Sequence, residues 1–146
     1  MSVIKSKRNT SDFKVIVQAM EIRRELTTYV IRDFAIDGKL SYMEEWLLND
    51  ERTEILHDAR NACSSIEMAN SIYIMSLEDY KERRAHQNRA IGYYNRLKQE
   101  LLYVSKCMPS KINLNKYMRS IDLIDKEIGL IKLWRKSDNK IKEKLG

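Results

Sequence analysis

The chain has 146 residues, enough for one domain with a respectable core, and a third of them are charged. One proline and four glycines leave few helix breakers, and no apolar run approaches the roughly 20 residues that a membrane span needs. The net charge of +6 sits at the ends: Lys5, Lys7 and Arg8 give +3, residues from Lys132 onward give +4, and the middle sums to −1.

Residues 1–9 read as a flexible basic segment. Thr10 or Ser11 is placed to cap a first helix, with Asp12 favourable at its positive end. Phe13, Ile16, Ala19, Met20, Ile22, Leu26, Tyr29 and Val30 carry its apolar face to about Ala35. Gly38 is the natural site for a left-handed cap after it.

A second helix begins near Ser41, with Glu44 and Glu45 in its first turns. Trp46, Leu47 and Leu48 form an apolar patch, and Asn49-Asp50 is a point where the helix could bend. The apolar pattern resumes through Ile55, Leu56, Ala59, Ala62, Cys63, Ile66 and Ala69, and ends in the turn Asn70-Ser71-Ile72-Tyr73. Ser76 followed by Asp79 resembles a capping box and opens a third helix. Its apolar row is Ala90, Tyr94, Leu97, Leu101, Val104 and Met108, while Lys81 to Arg89 is strongly polar.

Pro109 breaks the pattern, and Ser110 or Asn113 can cap a fourth helix. There Ile121, Ile124, Ile128 and Ile131 recur at steps of three and four, which stacks them on one face. Leu114, Tyr117 and Trp134 extend the row, and Arg135-Lys136-Ser137-Asp138-Asn139-Lys140 follows directly. Four amphipathic helices with short connectors and no strand pattern predict an all-α, up-down four-helix bundle. The bundle domain spans 10–136, and 137–146 reads as a basic tail.

Little in the chain can carry catalysis. Glu54-x-x-His57 has the spacing by which di-iron bundles present ligands, but that architecture needs a second such motif. The other histidine, His86, has Arg83 three residues before it, so the pair reads as a solvated face and no metal or cofactor is expected. Cys63 and Cys107 lack metal-ligand spacing and read as reduced thiols. No glycine-rich phosphate loop or Ser-His-Asp grouping is present, and no enzyme is expected. With no signal-peptide core at the start, the expected compartment is the cytoplasm.

Polyanion binding has more to build on. Arg89 and Arg96 lie seven residues apart on one face of helix 3, with Lys98 nearby and Arg83 and Arg84 a turn and a half earlier. Guanidinium groups donate in pairs to phosphate oxygens. Lys5, Lys7, Arg8, Lys132, Arg135, Lys136 and Lys140 add charge from the two ends. The competing reading pairs several arginines with Glu82, Glu100 or the acidic stretch Glu44–Glu54 of helix 2.

The run from Leu123 to Asp138 resembles the final helix of the accessory variability determinant proteins of diversity-generating retroelements. The opening Val3-Ile4-Lys5-Ser6-Lys7-Arg8, the turn Ala69-Asn70-Ser71-Ile72-Tyr73, Glu82-Arg83-Arg84 and Ala90-Ile91-Gly92 agree with it. The segment between Asp37 and Glu54 departs from the family, being acidic where a basic aromatic stretch is expected. The resemblance implies a non-catalytic accessory subunit that assembles as a ring-shaped homopentamer. It also implies association with a reverse transcriptase and its template RNA or DNA, with little sequence preference, in support of mutagenic copying of a template repeat. Trp46, Leu48, Leu102, Leu130 and Leu133 are the apolar residues left over for such an assembly. The alternative is a protein-interaction scaffold with no nucleic-acid role.

Overall fold

A computed structural model describes the backbone of residues 2–145 and the side chains of residues 14–145. Four helices follow in order: α1 (Ser2–Asp33), α2 (Tyr42–Asn70), α3 (Leu77–Cys107) and α4 (Leu114–Leu145). No strand occurs among the described residues. Each helix packs on its neighbours in sequence and α4 closes back on α1, while the diagonal pairs stay further apart. Cross-helix bonds run in opposite senses between α1 and α4, where Gln18 meets Leu123 and Asp33 meets Tyr117, and between α3 and α4, where Arg84 meets Asn139 and Lys98 meets Asp125. The chain is therefore an up-down four-helix bundle.

Local chemistry sets the helix ends. The Ser41 hydroxyl accepts from the Glu44 N–H at 3.2 Å while the Glu44 carboxylate accepts from the Ser41 N–H at 3.0 Å. That reciprocal box satisfies two of the donors left open at the start of α2. Ser76 accepts from the Asp79 N–H at 3.2 Å to open α3, and Asn113 accepts from the Asn115 N–H at 3.0 Å to open α4.

The boundaries differ from the sequence expectation in four places. Helix α1 starts at Ser2 and runs through Thr10 and Ser11, so the backbone of 2–9 is helical rather than a flexible segment and neither Thr10 nor Ser11 is the cap. Gly38 does not adopt a left-handed conformation; Asp37 shapes the turn by accepting from the Lys39 N–H at 2.9 Å. Helix α2 passes unbroken through Asn49-Asp50. Helix α4 continues to Leu145, so Ser137 onward is helix rather than tail, held by a buried Asp138.

The core lies where the periodicity placed it, with Ile22, Leu26, Ile55, Ile66, Leu97, Leu101, Ile124 and Ile131 essentially inaccessible. Ile128 is also buried, but Ile121 only half so. On α1 the inward stripe is Val15, Ala19, Ile22, Leu26 and Val30, and Met20 turns out to solvent. Alanines 59, 62 and 69 bring α2 close to its neighbours, and the Cys63 thiol donates to the Ala19 carbonyl at 3.2 Å.

Candidate nucleic-acid interface and the polar seams of the bundle

The basic residues of α3 divide by helix face. Arg83 is nearly buried: its Nε lies 2.9 Å from Asp138 of α4, its Nη1 donates to the Ile72 carbonyl at 3.0 Å, and its guanidinium covers the Trp134 ring at 4.8 Å. Arg84 donates to the Arg135 carbonyl at 2.9 Å and to Asn139 at 2.6 Å, and lies over Tyr80. Both arginines join α3 to α4.

Arg96 faces the other way. It pairs with Glu54 at 2.6 Å and with Asp58 at 3.4 Å, both on α2. Lys98 pairs with Asp125 of α4 at 2.6 Å. Arg89 is exposed, with Nη1 3.2 Å from Nδ1 of His86 one turn earlier. Of the seven α3 cations, Arg83, Arg84, Arg96 and Lys98 are thus engaged with acidic or carbonyl groups of other segments, while Lys81, Arg89 and Lys106 are exposed. The pairing reading holds for Arg96, because α2 carries carboxylates directly opposite.

Helix α4 presents a different picture. Lys132, Lys136 and Lys140 are all exposed and lie four residues apart, which aligns them along one face. No ion pair among the described residues involves them. Arg135, beside this row, donates to Asn88 of α3 at 2.8 Å. The side chains of Lys5, Lys7 and Arg8 lie outside the described residues. Among the aromatics, Tyr103 is exposed, Tyr93 is half-buried against the core, and Tyr80 donates to Asn139 at 2.6 Å.

Between these helices run buried acidic groups that composition does not reveal. On the α2–α3 seam Glu51 is nearly inaccessible, and burial together with a hydrogen bond to Glu100 pushes its carboxyl up to about 8. Burial also raises Asp58, against the opposing pull of Arg96. In the centre, Glu127 is fully buried and neither of its oxygens has a hydrogen-bond partner. Burial alone pushes it up to about 9, so it is neutral at pH 7. On the α1–α4 seam Glu25 accepts from Ser120 at 3.1 Å and from Arg119 at 3.3 Å. The heptad positions of Glu51, Asp58 and Glu127 relative to the apolar stripes were the available signal: each shares a face with core residues three or four positions away.

No family model matches the sequence, and no curated protein or solved structure matches it significantly.

The exposed apolar residues also redistribute. Trp46, Leu102 and Leu133 are exposed and remain open to a partner. Leu48, expected to be left over, is fully buried, and Leu130 is half-buried against the core. The reason for Leu48 is register: Leu48, Ile55, Ala59 and Ala62 form one continuous inward stripe on an unbroken α2. No described helix is long and apolar enough to cross a membrane.

Proposed function

We propose that this chain is a non-catalytic accessory subunit of a diversity-generating retroelement. In this reading it binds the reverse transcriptase and template RNA or DNA through a basic surface and supports mutagenic copying of a template repeat. The observation that carries the nucleic-acid part is the row Lys132, Lys136 and Lys140, exposed and without an acidic partner among the described residues, on a helix whose last turns are also basic. Cations without an internal partner keep their full charge for phosphate, whereas Arg83, Arg84, Arg96 and Lys98 are occupied in holding helices together. The binding surface therefore centres on α4, with Arg135 beside it and Arg89 as a separate exposed cation, rather than on the α3 face. Lys5, Lys7 and Arg8 extend the same charge from the opposite end of the sequence.

The assembly is a ring-shaped homopentamer in the same reading, with Trp46, Leu102 and Leu133 at its contacts. Repetition of a weak lysine row around a ring adds phosphate contacts by multivalency. Filter binding of a mixed-sequence RNA over a salt series tests the reading. Affinity should fall steeply with salt through counterion release. Replacing Lys132, Lys136 and Lys140 together with Glu should weaken binding to every RNA and flatten the log–log salt slope by about 2. Reverse-transcriptase capture that ignores salt, with no RNA binding, would instead favour a pure protein scaffold.

A further inference from the structure

Glu54, His57 and Asp58 stand at i, i+3 and i+4 on α2, so all three share one face. One ligand atom from each lies within 4.8 Å of the other two. Asp58 is fully buried, and neither of its carboxylate oxygens receives a hydrogen bond. A desolvated carboxylate without a donor is uncommon in folded proteins and calls for a compensating charge. The cation on hand is Arg96, whose Nε sits 3.4 Å from Asp58 and whose Nη2 sits 2.6 Å from Glu54. One guanidinium therefore serves two carboxylates, and a further buried acid, Glu51, lies along the same seam.

We propose that Glu54, His57 and Asp58 form a binding site for a divalent transition-metal ion, competing with Arg96 for the two carboxylates. An imidazole with two carboxylates suits Zn2+, Co2+, Mn2+ or Fe2+, whereas Ca2+ and Mg2+ prefer oxygen alone. Asp58 is the fixed ligand, anchored by burial. Glu54 is partly exposed and His57 exposed, so both have room to close to the ~2.0–2.2 Å that bonds to such an ion require. The Asn61 amide lies 3.0 Å from the His57 ring and restrains its orientation. The Glu-x-x-His spacing alone lacked a third ligand; the buried Asp58 supplies it from the same helix. The site stands apart from the α4 lysine row and does not depend on the role proposed for that row.

Titrating the full chain, stripped with chelator, with CoCl2 and following visible absorption tests the site directly. We expect saturation at about one Co2+ per chain, with bands reporting nitrogen and oxygen ligation, and displacement by Zn2+. Exposed His57→Ala and partly exposed Glu54→Gln should each weaken binding by at least about tenfold while circular dichroism stays helical. Arg96→Gln, which removes the competing charge, should tighten it by on the order of tenfold. Cys107→Ser, changing the exposed thiol on a different helix, should bind as wild type. Absence of saturable binding overturns the site. So does binding that survives His57→Ala, that vanishes with Cys107→Ser, or that fails to tighten in Arg96→Gln.

Discussion

Arg83 on α3 and Asp138 on α4 are paired at 2.9 Å with both side chains almost out of solvent, at 11% and 3% exposure. Gln87 donates to the same carboxylate at 2.9 Å, so α3 and the last turns of α4 are joined through one buried acid. This pair holds the start of the basic end in the bundle: the helix must continue past Lys136 to place Asp138 against α3. Arg83→Ala leaves Asp138 buried without its cation, and such a loss costs about 3–5 kcal/mol. Chemical denaturation should show it, with Asp138→Asn relieving part of the deficit in the double variant.

Ile124 is fully buried in the centre of α4. Ile124→Ala should destabilise the bundle by about 2–5 kcal/mol through lost transfer energy and the cavity left behind. Half-buried Ile121 gives a smaller loss on the same change. Urea midpoints for the two variants check the order.

Glu127 makes stability depend on pH. Its folded pKa, about 9, lies above the model-peptide value of 4.5, so the native state holds a proton that the unfolded state releases. A group raised in this way contributes fully below about pH 4.5, and the contribution is lost as pH climbs through 9. The decline amounts to at most about 1.4 kcal/mol per pH unit across that window. Glu127→Leu removes the titrating group, so it should melt above wild type at pH 8, with the gap closing at pH 5. A melting difference that is the same at both pH values would remove Glu127 as its source.

Leu133 is 62% exposed on α4, next to the lysine row. In a ring it would be covered by a neighbouring subunit, so Leu133→Glu should shift the mass measured by light scattering toward the monomer. Its circular dichroism should stay at the wild-type level, since the side chain takes no part in the core.

Arg96→Glu and the triple exchange of Lys132, Lys136 and Lys140 should separate by phenotype. The first places a like charge against Glu54 and Asp58, and should lower the melting temperature while leaving RNA affinity largely intact. The second removes charge that no acid among the described residues neutralises, and should leave the melting temperature near wild type while RNA affinity falls. Reversal of the two outcomes would move the binding surface back to α3.

The isoleucine row of α4, the serine caps before α2 and α3 and the proline break before α4 determined four helices and their inward faces. Each is a local signal: periodicity within one helix, or a side chain closing on a backbone group three residues away. Which cations stay free was decided only by tertiary structure. Arg83, Arg84, Arg96 and Arg89 look alike in sequence, yet three of them meet Asp138, Asn139, Glu54 or Asp58 on other helices. Pairing between helices depends on their packing and register, which a single helix's periodicity does not encode. The same holds for Glu127 and Asp58, whose charge reads as surface along the chain. Burial by neighbouring helices changes their chemistry, because desolvation acts on a group only once the other helices have closed over it.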